Sequence, residues 1–360
     1  MEKIDNPQVA FQQDHAGMKD TLEAEAQRAF RRPREPRPDL TPEFLDKKAT
    51  DYTYEYAAQQ VKARREKYEA GRFYQETATV KIRGRDPILV TMIGDVHFGS
   101  ALSDEERFEA DAKRIEEHEG QYAVLMGNLI DNAIPGQFPS NMLANELHPE
   151  EQVAAMRQRI AQMDNKGKVL AALGAPCHEG WTWSHAGQDV NRLLFEGRNF
   201  PVLDNGGELT IKVGEGGKEQ DYKIALYHQI GRFESQLNKS NAPQRMQQLR
   251  NQEADVVVGA HRHIGEAMQT YVGQDEKTRK PKVFIRSGTY KTKDKWARDR
   301  GFGSGEPGGE SVMLWPDQKK MQPFLNPETA TETHEAIKQA NELKRMGMGK
   351  RMDKRVNKKG

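Results

Sequence analysis

Short apolar runs punctuate an otherwise polar chain, and five of them stop at a histidine, an aspartate or an asparagine. The runs are 88–93, 122–126, 169–173, 224–226 and 256–258. Runs of this length between polar turns read as buried strands. A further strand is expected over 77–83, joined to the first run by a turn at Gly84. Ser103 and Glu106 form a capping box that opens a helix toward His118. Val153, Met156, Ile160 and Met163 recur at helical spacing, which predicts a helix over 149–163. Strand, helix, strand, helix is the signature of an α/β domain. The second half is richer in strands, at 209–213, 222–227, 255–258, 282–286 and 311–315, which suggests a second sheet with mixed or antiparallel pairing. No internal repeat marks a solenoid.

The ends differ from this core. Residues 1–76 read as a helical N-terminal arm that contains a stiff basic linker, Arg31-Arg32-Pro33-Arg34-Glu35-Pro36-Arg37-Pro38. Thr41 and Pro42 start a helix that runs to about Ala70, with Gly71 as its stop. The core spans 77–325. Residues 326–360 are a tail, helical over 328–344 and then basic, with a net +7 over 344–360.

Composition narrows the classes. The chain has 360 residues and a net charge of +1, so overall charge gives no sign of a nucleic-acid partner. The mean hydropathy of −0.90 reflects polar ends around an ordinary core. A single cysteine, Cys177, excludes an internal disulfide. No run of 18 apolar residues exists, so no membrane span is expected, and the start of the chain lacks an apolar signal core. The default location is the cytoplasm.

The polar residues that end the strands carry the chemistry. They are Asp95-Val96-His97, Gly127-Asn128-Leu129-Ile130-Asp131, Cys177-His178-Glu179, Tyr227-His228 and His261-Arg262-His263. These motifs hold five of the ten histidines. Strands of one sheet can bring such side chains to one rim, and imidazole with carboxylate suits a transition-metal centre. Two cations about 3.5–4 Å apart can clamp a phosphoryl group during in-line displacement.

In this order the motifs resemble those of the calcineurin-like metallophosphoesterases: Asp-x-His, Gly-Asp-x-x-Asp, Gly-Asn-His-(Asp/Glu), a lone His and Gly-His-x-His. The resemblance covers about residues 88–290. It implies a four-layer αββα sandwich with the site at the sheet edges. It also implies that Asp95, His97 and His263 hold one cation, that His228, His261 and position 177 hold a second, and that position 128 bridges them. His178 would protonate the leaving oxygen or stabilise the transition state. The segment Arg286-Ser287-Gly288-Thr289-Tyr290, with Lys291, resembles phage-type members, which would place the protein in a host cytoplasm.

Two positions depart from the motif. The bridging aspartate is Asn128, whose neutral oxygen weakens the second cation. The usual ligand asparagine is Cys177, which suits a soft cation as a thiolate and none as a buried thiol. Asp131 cannot replace Asn128 from three residues away. It is expected to orient a histidine, and with His178 it forms the candidate catalytic pair.

Two functions compete, and a third reading is nucleic-acid binding by the arm and tail without chemistry. The first is a phosphoesterase using one or two Mn²⁺, Zn²⁺ or Fe ions, in which a metal-held hydroxide attacks a phosphomonoester or phosphodiester. Nucleic acid is a candidate substrate, held by the basic tail and arm. The second is an impaired phosphoesterase fold that serves as a binding or structural component of an assembly or homo-oligomer. Other residues read blandly. Trp181 and Trp183 pack a loop, Arg262 is either a phosphate contact or a surface charge, and 294–300 is a solvated helix face. Gly301 to Gly305 form a loop, and His15, His118, His148, His185 and His334 lie at the surface.

Overall fold

The computed structural model describes residues 53–70, 73–134, 145–231, 238–273, 275–291 and 307–347. The chain divides into two compact units, Met1–Glu69 and Ala70–Gly360. Helix α1 (Tyr54–Ala70), in the first unit up to Glu69, starts where Thr53 Oγ1 accepts the Tyr56 N–H at 3.2 Å. Tyr54, Tyr56 and Val61 of α1 are exposed. The expected Arg31–Pro38 linker, the Thr41 start and the Gly71 stop lie outside the described residues. So do His15, the 294–300 segment, the glycine loop at 301–305 and the basic residues beyond 347.

The second unit is a mixed α/β structure built on one large sheet. Its strands are β1 (Gln75–Ile82), β2 (Ile88–Ile93), β3 (Gln121–Leu125), β4 (Val169–Leu173), β5 (Val202–Glu215), β6 (Lys218–Tyr227), β7 (Val256–Gly259), β8 (Glu266–Val272), β9 (Lys280–Arg286), β10 (Ser311–Leu314) and β11 (Met321–Phe324). Their order is β11-β10-β2-β3-β4-β5-β6-β7-β9-β8, with β1 also paired on β5. β2, β3, β4 and β5 run parallel, as do β6, β7 and β9. The strand-rich second half was expected as a separate sheet. It is instead continuous with the first: β4 and β5 share two residue pairs, Ala172↔Val202 and Leu173↔Leu203, and β10 pairs antiparallel with β2 over Ser311–Leu314.

Side-chain alternation explains the core. Val90 and Met92 of β2, Val124 of β3, Leu173 of β4, Leu226 of β6, Val258 of β7 and Ile285 of β9 share one buried cluster. Residues from both halves of the sheet therefore face one interior. The opposite faces meet helices. Ala123 and Leu125 of β3 pack with Phe108 and Ile115 of α2 (Glu105–Glu117), with Met156 and Ile160 of α3 (Pro149–Asn165), and with Leu194 of α5 (Val190–Phe195). Ala225, Val257 and Phe284 pack with Ala242 and Met246 of α6 (Asn241–Leu249). Helix α7 (Pro327–Arg345) lies on β2 and β10 through Ala330 and Ile337.

Two sequence expectations are corrected here. The N-cap of α2 is Asp104, which accepts the Arg107 N–H at 3.0 Å, while Ser103 Oγ donates to Val96 O. A carboxylate caps as well as a hydroxyl and adds charge against the helix dipole. His334 is fully buried, with Nε2 2.8 Å from Pro87 O, because α7 presses its inner face onto the sheet. No described helix is long and apolar enough to cross a membrane.

Candidate metal centre

The parallel strands set the site, because parallel neighbours end at one edge of the sheet. Asp95 and His97 follow β2, Asn128 and Asp131 follow β3, and His228 follows β6. His261 and His263 follow β7. Cys177 is the N-cap of the short helix α4 (His178–Ala186), which His178 begins. Neighbouring loops are stitched together: Asp95 N–H donates to Gly127 O at 2.9 Å and His97 N–H to Asn128 O at 3.0 Å. Thr289 Oγ1 and Tyr290 N–H both donate to Asp95 O.

The backbone at this edge is strained. Among the described residues, six that are not glycine have positive φ: Asp95, His97, Asn128, Asn132, His261 and His263. Five of these were singled out from sequence. A left-handed conformation costs most residues about 1–2 kcal/mol and is mildest for Asn and Asp. Such outliers persist where surrounding contacts over-determine them, as at functional sites. Gly127 is needed for a related reason. Its φ is +86°, and a Cβ there would lie 2.8 Å from Ala175 Cβ and 3.0 Å from His228 Nδ1.

Two donor clusters result. Asp95, His97 and His263 form the first, and Cys177, His228 and His261 the second. In the first, His97 Nε2 lies 3.1 Å from His263 Nε2 and 3.8 Å from Asp95 Oδ1, and His263 Nε2 lies 3.5 Å from Asp95 Oδ1. A point equidistant from these three atoms is about 2.0 Å from each, within the range of nitrogen and oxygen ligands of a zinc-class ion. In the second, Cys177 Sγ lies 3.0 Å from His228 Nε2, 3.4 Å from His261 Nδ1 and 3.2 Å from Asn128 Oδ1.

Proton positions support the fit. Asp131 Oδ1 accepts from Lys291 Nζ at 2.9 Å and lies 3.0 Å from His97 Nδ1. An ionised carboxylate can only accept, so His97 carries its proton on Nδ1 and turns a bare Nε2 to the first cluster. His228 Nδ1 faces Met126 O at 2.7 Å, which likewise leaves Nε2 bare toward Cys177. Residues 97, 131 and 178 form a third group, but the Lys291 ammonium already supplies its cation.

Asn128 does not connect the clusters as a shared anion. Its Nδ2 donates to Asp95 Oδ1 at 3.0 Å, which fixes the amide orientation and points Oδ1 at Cys177. Asp95 Oδ2 accepts the His261 N–H at 2.8 Å.

Burial sets the charges. It pushes Asp95 up, but the hydrogen bond and charge of His263, with His228 and His97, hold its carboxyl well below the usual range. Asp131 follows the same balance, with Lys291 as its fixed counter-charge. Burial drives His97 far down, His178 to about 4 and His261 to about 3. The Cys177 thiol is pushed up by burial and by the negative charges of Glu179 and Asp95. The metal-free centre therefore presents neutral imidazoles at His97, His178 and His261, a protonated thiol and two carboxylates. That donor set fits a divalent cation, which would replace the thiol proton.

Several supporting roles were not read from sequence. Glu179 Oε1 accepts the N–H groups of Leu129 and Ile130 at 2.5 and 3.2 Å and so holds the loop that carries Asn128. Burial raises its carboxyl to about 8. The one available signal was an acid directly after His178. Lys291 is buried against Asp131, and only its adjacency to Tyr290 drew notice. Trp181 stacks on His178 with ring centroids 4.0 Å apart. Trp183, expected to pack a loop, is 62 % exposed, because its position on α4 turns it away from the core. Arg262 is exposed between His261 and His263.

No protein-family model matches the sequence, and no curated protein matches it. Among solved structures, the zinc complex of wild-type Vps29 from Entamoeba histolytica superposes with a TM-score of 0.31 at 14 % identity, over 66 % of this chain and 98 % of that one. A metallophosphoesterase from Sphaerobacter thermophilus gives 0.30 at 12 %, over 72 % and 95 %. The nuclease MPE of Pseudomonas putida gives 0.27 at 11 %, over 65 % and 87 %. Superpositions this loose carry no argument, so function is argued from the chain's own side chains.

Proposed function

We propose that the protein is a metal-dependent phosphoesterase of the calcineurin-like type, with Asp95, His97 and His263 as the principal cation ligands. The carrying observation is the triangle of Asp95 Oδ1, His97 Nε2 and His263 Nε2, spaced to share one ion. The interior cluster common to both halves of the sheet, with helices outside, supports an αββα arrangement. A divalent ion there, Mn²⁺, Zn²⁺ or Fe, would neutralise phosphoryl oxygens and make a water acidic enough to act near neutral pH.

The chain's own residues supply the rest. Asp131 and Lys291 lock the His97 ring. His178 Nδ1 lies 2.5 Å from Asp131 O, which leaves Nε2 as the atom able to exchange a proton with substrate. With its value depressed to about 4, His178 is neutral before substrate arrives. A bound phosphate anion raises that value and lets Nε2 carry a proton to the leaving oxygen. The substrate is a phosphomonoester or phosphodiester. The +7 charge over 344–360 favours one with a polyanionic backbone.

A second reading has its own observation. Asn128 places a neutral amide, bonded to Asp95, where a shared anion would hold two ions together. On that reading the chain is an impaired phosphoesterase that binds rather than hydrolyses. The test compares the native protein with Asn128→Asp on bis(p-nitrophenyl) phosphate, with Mn²⁺ and with chelator. Chelator-sensitive turnover by both supports the enzyme; turnover by the variant alone establishes impairment.

A further inference from the structure

We propose that the centre consists of two unlike sites, of which the Cys177–His228–His261–Asn128 pocket is a closed structural site for a thiophilic cation of the zinc class, bound through a thiolate. Chemistry is then left to the Asp95–His97–His263 site. The proposal rests on the metal-centre reading above but not on hydrolysis.

The argument begins with Asn128. Its amide has two ends, and each is assigned: nitrogen to Asp95, oxygen toward Cys177. Nitrogen of an amide donates and does not ligate, so Asn128 serves one cluster and closes the border between them. The two donor sets then differ in number and in softness. The second offers one sulfur, two imidazole nitrogens and one amide oxygen, four protein atoms in all. Four protein donors with a sulfur among them is the composition of a closed, tetrahedral zinc site. The first offers one carboxylate oxygen and two nitrogens. Three protein donors leave a coordination position for water or substrate, the arrangement of a catalytic ion.

The pocket does not depend on the cysteine alone. His228 comes from the end of β6, His261 from the end of β7 and Asn128 from the end of β3, and each has a donor atom within reach of Sγ. On binding, the sulfur–metal bond replaces the S–H bond, and the thiol proton passes to solvent.

The test is a titration of the full-length, metal-free protein with Co²⁺, read in the near ultraviolet for thiolate-to-cobalt charge transfer and in the visible for ligand-field bands. The native chain is expected to show both, and His263→Ala to keep the charge-transfer band. Cys177→Ser is expected to lose that band and keep visible bands. Should Cys177→Ser not fold, Cys177→Asn supplies an amide oxygen and gives the same reading. Cys177→Asn is also expected to bind Cd²⁺ more than about tenfold more weakly, since even an outer partner of a ligand changes affinity that much. Visible bands without charge transfer in the native chain overturn this proposal and leave the phosphoesterase reading standing. No bands of either kind overturn both.

Discussion

At the scale of single residues, charge placement rather than charge count governs this centre. Asp131 is bound by Lys291, Asn145 and the His97 ring. Asp131→Asn keeps the shape but removes the negative charge that holds the His97 ring and Lys291, and sets an amide nitrogen against the Asn145 donor. Metal affinity should fall about 10–100-fold with the fold intact, measured by competition with a chromophoric chelator. Asn128→Asp should act in the opposite sense, with a sign that depends on metal. Without cations it sets a second carboxylate about 3 Å from Asp95 Oδ1, and the melting temperature should drop. With Mn²⁺ present the repulsion becomes a shared ligand, and the variant's metal-induced gain in melting temperature should exceed that of the native chain. His178→Asn should slow alkyl esters about 10²–10⁴-fold and nitrophenyl esters less, because only the poor leaving group needs a proton. A uniform loss across leaving groups would remove His178 from that role.

At the scale of elements, α7 shows how a terminal helix is fastened. His334 meets Pro87 O, and Asp86 accepts from both Asn341 and Arg345, so the turn before β2 grips the helix at two places. Burial pushes the Asp86 carboxyl up, but the hydrogen bonds of Arg345 and Asn341 hold it below its usual value. A carboxyl depressed in the folded state stabilises above its unfolded value and loses that contribution as pH falls through the folded one. Asp86→Asn should therefore lower the melting temperature at pH 7, and the difference should vanish in acid. Much of this architecture was legible from the sequence. β2, β4 and β7 announced themselves as apolar runs, and α3 by its period. The first half of β5 did not, because Asp204-Asn205-Gly206-Gly207 reads as a turn. β8 alternates only weakly, and β11 contains a proline, which fits a strand near the sheet edge. The strand-end side chains were visible because each follows an apolar run. Glu179, Lys291 and the buried side of His334 were not, since burial by a distant segment leaves no local pattern.

At the scale of the molecule, the neutral buried histidines make acid the natural stress. His178 and His261 are held at about 4 and 3, below the ordinary value near 6.5. The unfolded chain binds their protons first, so their share of stability is complete above about pH 6.5 and declines as pH falls toward 4 and then 3. Melting temperature of the metal-free protein against pH should show that decline, and saturating Zn²⁺ should move it to lower pH. A flat profile between pH 7 and 4 would remove the two imidazoles from the account.

The narrow join between β4 and β5 has a mechanical meaning. Asp95, His97, Asn128 and Cys177 belong to the strands before that join, and His228, His261 and His263 to those after it. A cation held in either pocket would tie the strand ends of two panels that already meet through one buried core and through the His261 N–H bond to Asp95 Oδ2. His97 and His263 are 166 positions apart, so the first pocket cannot close until the chain has been laid down through His263 and folded back. Cation capture would then follow the meeting of the panels and clamp it, and limited proteolysis of the stripped protein should cut the strand-end loops at 174–178 and 260–265 faster than when Zn²⁺ is present.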